Sequence, residues 1–341
     1  MARWSDALGG DPLPWLLDES APAVRHLALR RLLDRPAGDA EVARARAQAM
    51  ATDPIVSFLA AQNAEGWWLA PGPGYGPKYS STVWCLIFLD QMGADGSDVR
   101  IRTACEYVLA HSQASTGGFA AGAGSGGPVP SAAIHCLNGN LLRAMIDFGL
   151  QDDERVRRSI EWQAGTITGE GVDRWYASTC GPGFQCGANE RRPCAWGATK
   201  AVLALARVPV DRRPPAVERA LQAGVEFLLS RDPALADYPR PSFSNRPNGS
   251  WFKLGFPVGY VTDVLQVVEA VVEAGAGADP RLDHAVEWLL GRQRPDGRWA
   301  NEYAYERKTI APIDRPGEAS RWVTLRACAA LKSIAEAREE S

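Results

Sequence analysis

The stretch Val286-Glu-Trp288-Leu-Leu290-Gly-Arg-Gln293-Arg-Pro-Asp-Gly297-Arg-Trp299 decides how this chain is read. Apolar residues at helical spacing run up to a glutamine; a glycine then ends the helix, and an aromatic closes the motif. The same order occurs at Phe58-Leu59-Ala-Ala-Gln62, followed by Gly66, Trp67 and Trp68, and at Tyr107-Val-Leu109-Ala-His-Ser-Gln113, followed by Gly117, Gly118 and Phe119. A degraded copy stands at Ile160-Glu-Trp162-Gln163 with Gly169 and Gly171, and Phe227-Leu228-Leu229-Ser-Arg-Asp232 keeps the helix without the ending. Copies spaced about fifty to sixty residues apart are the mark of one supersecondary unit repeated along the chain. Each copy has a physical logic: the aromatic can fold back over the helix end, and the glutamine can bond backbone groups left open there.

A second set of helices falls between these segments, over about 80–92, 131–148, 194–208, 260–274 and 320–335. They are apolar nearly all round, as in Thr82-Val-Trp-Cys-Leu-Ile-Phe-Leu89, and a helix without a polar face is normally buried. The repeat-bearing segments are amphipathic, with charged faces such as Asp152-Asp-Glu-Arg-Val-Arg-Arg158. Buried and exposed helices therefore alternate. The expected fold is all-α, an α/α toroid of about five to six helical hairpins with an inner and an outer ring. Residues 51–338 would form the toroid; residues 1–50 would add N-terminal helices as a cap or first repeat.

The Gln-x(3)-Gly-x-Trp ending resembles the QW-type repeat of the squalene/hopene cyclases and their relatives, including the protein prenyltransferase β subunits. The resemblance spans about residues 50–335 and implies a terpenoid cyclase-like toroid that binds an isoprenoid or other apolar substrate in a central cavity. It does not carry a mechanism across. Cyclases of that kind protonate an alkene from an Asp-x-Asp-Asp motif, and none occurs here. The Asp-x-Cys of prenyltransferases and the Cys-His-Gly of the similarly toroidal lanthionine synthetases are also missing. Activity within one fold diverges, so function rests on the site itself.

Composition narrows the partners. A net charge of -3 with no run of Lys or Arg lacks the basic stripe that nucleic-acid binding needs. No apolar run approaches the ~20 residues of a transmembrane helix, although peripheral membrane contact stays open. Residues 1–13 carry Asp6, Gly9, Gly10 and Asp11 where a secretory signal would be apolar. With seven cysteines and no such signal, reduced thiols and a cytoplasmic setting are expected.

Aligning the inner helices by their trailing Gly or Pro places Trp84, Asn140, Lys200 and Gln266 at one level, with Ser80, Cys136, Trp196 and Thr262 a turn earlier and Asp263 beside them. Unpaired buried polar groups are costly, so this polar ring either lines a wet cavity or bonds its members and neighbouring loops. Asn138, Tyr79, Tyr260 and Trp322 complete the expected ligand-contacting set, and the Gly/Pro-rich loops 71–79, 120–130 and 237–256 would form the rim. Asp263 is the candidate acid, with Asp173 a poorer second. Inner-helix N-termini gathered at one mouth could also attract an anion such as diphosphate.

Cys180, Cys186 and Cys194 fall within fifteen residues, and His135-Cys136 opens the preceding inner helix. Cys180, Cys186, Cys194 and His135 could together hold a tetrahedral zinc, the one cofactor the sequence suggests, although the spacing lacks a Cys-x(2)-Cys hook. The alternatives are unligated thiols, or one reactive thiolate at a helix N-terminus, for which Cys194 is best placed. Cys85, Cys105 and Cys328 read as core, and His26, His111 and His284 as surface. Three functions follow: a terpenoid cyclase-like enzyme, a non-catalytic lipid- or protein-binding toroid, and a zinc-dependent toroid enzyme. A lumen blocked by Trp84, Trp196 and Trp322 would favour the second.

Overall fold

The computed structural model describes residues 4–171, 180–305 and 307–341; Asp173 lies outside them. Among these residues the chain forms α1 (Leu13–Leu16), α2 (Pro22–Arg31), α3 (Ala40–Met50), α4 (Ile55–Ala60), α5 (Thr82–Gln91), α6 (Val99–His111) and α7 (His135–Asp147). It continues with α8 (Glu154–Thr168), α9 (Ala195–Ala206), α10 (Pro215–Leu229), α11 (Val264–Glu273), α12 (Asp283–Leu290) and α13 (Arg321–Glu340). The described sheets are minimal: β1 (Ala123–Gly124) pairs with β2 (Gly127–Pro128), and β3 (Cys180–Gly181), β4 (Gln185–Cys186) and β5 (Arg192–Pro193) form a small antiparallel ladder.

Burial separates the helices into two rings, as the hydrophobic patterns require. Thr82 to Leu89 are buried without a break, and so are Gly197 to Leu205. Helix α5 packs on α7, α7 on α9, α9 on α11, α11 on α13, and α13 on α2. Gly93, just after α5, leaves room for Leu27 of α2, which completes the circle. The outer helices pack behind them, α6 on α5, α8 on α7, α10 on α9 and α12 on α11. This is the mostly helical toroid expected, with α2 taking a place in the inner ring. No helix among the described residues is long and apolar enough to cross a membrane.

The repeated motif folds the same way in separate copies. The Trp68 indole donates to Phe58 O at 2.7 Å, and the Trp299 indole donates to Leu289 O at 2.8 Å, so each ring closes over the end of its own helix. The amides of the same tryptophans donate to Thr82 Oγ1 and Thr324 Oγ1 at the start of the next inner helix. Gly66 and Gly297 take φ of +99° and +78°, and a Cβ there would lie 2.6 Å from Thr103 O and 2.2 Å from Gly10 O. Only glycine permits both the left-handed turn and that approach. The glutamines reach further than their own loops. Gln62 donates to Arg100 O and Gln113 to Arg155 O, each in the following outer helix, while Gln293 accepts from Gly9 N at 2.7 Å. They tie neighbouring hairpins together, and the last ties to the first segment.

Two helix starts differ from the pattern-based expectation. Helix α7 begins at His135 because Pro130–Ala132 forms a separate 3-10 turn. Helix α11 begins at Val264, capped by Asp263, so Tyr260 to Thr262 belong to the preceding loop. That second shift decides what fills the middle of the ring.

Candidate functional site: the lumen and its thiol-bearing mouth

The polar ring surrounds a piece of the chain itself. Segment 254–262, Leu-Gly-Phe-Pro-Val-Gly-Tyr-Val-Thr, enters between the inner helices, and its backbone is bonded by their side chains. Gln91 of α5 both donates to Val258 O (2.7 Å) and accepts from Val258 N (2.8 Å). Asn140 of α7 donates to Gly259 O at 3.1 Å, and Lys200 of α9 donates to Val261 O at 3.1 Å and to Thr262 Oγ1 at 2.7 Å. Arg326 of α13 donates to Gly255 O at 2.8 Å, and Asn301 donates to Phe256 O at 3.2 Å. The Tyr305 hydroxyl accepts from Gly259 N at 3.0 Å. A backbone without strand or helix partners must be satisfied when buried, and these groups satisfy it. Of the two roles open to the polar ring, Asn140 and Lys200 fill the second, bonding a loop.

Lys200 is 1% exposed, and its third bond goes to Gln266. Burial lowers its pKa to about 7. Asp263 caps α11, its Oδ1 accepting from Gln266 N at 2.7 Å and lying 3.5 Å from the Arg326 guanidinium; Oδ2 faces Gly255 N at 3.4 Å. Arg326 in turn makes a two-bond pair with Glu269 (2.9 and 2.6 Å). Both Asp263 oxygens therefore have backbone donors within the scaffold. The space left between Gln91, Asn140, Gln266, Trp322 and Arg326 is a cavity of about 40 Å³.

Aromatic rings fill the side of the lumen where the inner helices start. Tyr79 stacks on Tyr305 with centroids 3.8 Å apart and lies 5.1 Å from Trp84. Tyr260 sits 6.4 Å from Trp84 and 5.8 Å from Trp196, which in turn meets Trp251 at 6.2 Å. Tyr260 and Trp196 are half-buried, and the exposed Lys78 places its ammonium 4.2 Å from the Tyr260 ring centroid. Trp322 is elsewhere, stacked flat on Phe256 at 4.4 Å. Asn138 is not in the lumen set: it exchanges hydrogen bonds with the backbone of Phe119, at 2.5 and 2.8 Å. Sequence reasoning missed Gln91, Asn301, Tyr305 and Arg326. Arg326, a lone cation in an apolar stretch of α13, carried the same signal as Lys200; Asn301 and Tyr305 lie in a loop with no periodicity to flag them.

The cysteines separate. Cys186 and Cys194 lie on neighbouring strand ends: Cys186 opposes Arg192, and Cys194 follows two residues on, its amide donating to Phe184 O at 2.9 Å. The Cys186 sulfur interacts with the Cys194 thiol and with the backbone amides of Ala188 and Asn189. Those contacts, led by the Cys194 thiol, outweigh burial and lower the Cys186 pKa to about 6. Cys194 is pushed well up by its interaction with Cys186 and by burial. The two sulfurs thus share one environment at the entry to α9. Cys180 opposes Cys186 in register but is buried with Ala133 and Trp162. His135 has both ring nitrogens occupied, Nε2 at 3.0 Å from Gly181 O and Nδ1 at 3.0 Å from Gln163 Nε2. Among the described residues no three His, Cys, Asp or Glu side chains gather in a metal-holding arrangement, so the four suggested zinc ligands are not brought together. Cys85, Cys105 and Cys328 are buried core, and so is His26, whose Nδ1 lies 3.3 Å from Val42 O; His284 is exposed and pairs with Asp232.

No protein-family model matches the chain, and no curated protein matches it. Among solved structures it is similar to a variant of the type II terpene cyclase MstE from Scytonema in complex with geranylgeranyl dihydroxybenzoate. That match has 14% identity and a TM-score of 0.32, over 86% of this chain and 97% of that one. It is also similar to apo MstE (15%, TM-score 0.29, 83% and 96%) and to a protein from Actinoplanes (15%, TM-score 0.31, 85% and 99%). At that identity and TM-score the likeness decides neither activity nor ligand.

Proposed function

We propose that this chain is a non-catalytic binding module, an α/α toroid that holds an apolar, isoprenoid-like ligand against the aromatic rings at its mouth. The observation that supports this reading is the occupied lumen. Ligand pockets for molecules of that size run to roughly 300–1,000 Å³. The cavity left inside the polar ring is about 40 Å³, because segment 254–262 takes the place a substrate would need. Tyr260 and Trp196 keep part of their surfaces open beside Lys78, which suits an apolar chain with an anionic head. Asp263 on this reading is scaffold.

Tryptophan fluorescence during titration with geranylgeranyl diphosphate tests it, with product analysis by mass spectrometry alongside. Saturable binding is expected in the wild type and in Asp263→Asn, with no product from either. Trp196→Ala together with Tyr260→Ala should weaken binding about tenfold or more, the loss of roughly 1.4 kcal/mol of ring contact. A cyclised product that forms with the wild type and disappears with Asp263→Asn would instead establish the terpenoid cyclase-like reading, with segment 254–262 withdrawing to admit substrate.

A further inference from the structure

Opposite the aromatic mouth, the ends of the inner helices bring charged side chains together. Arg31 ends α2, Asp90 lies in the last turn of α5, Arg143 stands a turn before Asp147 at the end of α7, Arg207 follows α9, and Glu273 ends α11. Three guanidiniums against three carboxylates balance, so charge alone selects no ion. Hydrogen bonding does not balance. Arg207 lies 3.2 Å from Asp147 and 3.3 Å from Glu273, and the neighbouring Arg326 and Glu269 are bonded to each other. Arg143 approaches Asp147, Glu273 and Asp90 only to 3.6, 3.8 and 4.0 Å, and its buried Nε has no hydrogen-bond partner. Arg31 is half-buried beside Arg143 and Arg207, and no carboxylate among the described residues forms an ion pair with it. Asp90, its side chain 8% exposed, accepts no hydrogen bond from any described residue. Arg31, Asp90 and Arg143 all line the cavity of about 40 Å³ beside segment 254–262. Two sets of unmet donors and one unmet acceptor thus face one small space.

We propose that this cavity binds a small oxyanion that still carries an O–H, with hydrogencarbonate the ion of matching size. A space of about 40 Å³ holds on the order of three waters, which suits a planar ion of one carbon and three oxygens and leaves an isoprenoid outside. The guanidiniums of Arg31 and Arg143 donate to its oxygens, in the charge-assisted bonds that arginine forms with planar oxyanions. The Asp90 carboxylate accepts the O–H. That last contact sets the selectivity. Nitrate has the same shape and charge but no proton, so it turns an oxygen towards the Asp90 carboxylate; the carboxylate stays without a donor and the two repel. Chloride fails for the same reason. The site lies apart from the aromatic mouth and does not rest on the ligand proposed there.

Thermal unfolding of the full chain near pH 8, in buffer freed of carbon dioxide, tests this with sodium hydrogencarbonate, sodium nitrate and sodium chloride added at equal ionic strength. Hydrogencarbonate should raise the midpoint saturably, because a ligand that binds only the folded state stabilises it by mass action. Nitrate should need about tenfold or more higher concentration for the same shift. Arg31→Gln removes one guanidinium at a half-buried position and should weaken the response to hydrogencarbonate about tenfold or more. Asp90→Asn gives a readout that a merely structural role would not move: its amide offers N–H groups to an oxyanion, so nitrate should now stabilise the variant as well as hydrogencarbonate does. Equal shifts with all three salts on the wild type, no shift with hydrogencarbonate, an undiminished response in Arg31→Gln, or nitrate still the weaker ligand of Asp90→Asn would each overturn the proposal.

Discussion

Lys200 shows how a buried charge is accommodated in this protein: three acceptors from two elements surround its ammonium, and none belongs to a ligand. Asp90 shows the converse. Its side chain is 8% exposed at the far end of α5, and the Arg143 guanidinium comes only to 4.0 Å. Burial first, and then the Asp147 carboxylate, raise its pKa to about 7. A carboxyl that holds its proton more tightly when folded than when unfolded favours the folded state most below the unfolded value, about 3.9. That advantage is lost as pH rises through 7. Asp90→Asn keeps the shape and removes the titration. Urea unfolding should find the variant more stable than the wild type at pH 8, by an amount on the order of 2 kcal/mol, with the gain shrinking towards nothing near pH 4. An equal gain at both pH values, or a loss at pH 8, would remove Asp90 as the cause.

The decisive element is the segment before α11. It carries no periodicity, it follows a long Gly/Pro-containing loop, and its bonding partners come from α5, α7, α9 and α13, so no local signal could place it in the lumen. The helices were legible because burial on one face or on all faces leaves a pattern in the chain. The polar ring was legible in part, since Lys200 and Gln266 are conspicuous among apolar neighbours; what they hold was not, because a backbone carbonyl has no sequence signature. The neighbour that Cys194 meets was illegible for a related reason. The field of a helix end can be read from position, but a neighbouring thiol depends on a strand pairing between residues 186 and 192. The segment's fit is tight: a Cβ on Gly255 would lie 2.3 Å from Tyr303 O, and one on Gly259 2.4 Å from the Tyr305 hydroxyl oxygen. Gly255→Ala should therefore force the segment from its bonds and lower unfolding stability by roughly 1–3 kcal/mol, the cost typical of overpacking. Denaturant titration that shows no loss would mean the segment is not held as described.

The whole molecule is a closed ring whose ends meet. Gly9 bonds Gln293, Arg321 donates to Trp15 O at 3.2 Å, and Lys332 pairs with Asp34 at 2.6 Å. Closure fixes the diameter of the lumen, and the segment 254–262 then determines how much of it is free. The small residual cavity follows from that occupancy, and the proposed binding reading rests on it. Backbone hydrogen exchange, read with and without geranylgeranyl diphosphate, tests it most directly. The amides of Val258 and Gly259, held by Gln91 and Tyr305, should exchange as slowly as those of the inner helices and stay slow when ligand is bound. Rapid exchange in the free protein, or protection lost when ligand is added, would show the lumen open to substrate and contradict the account.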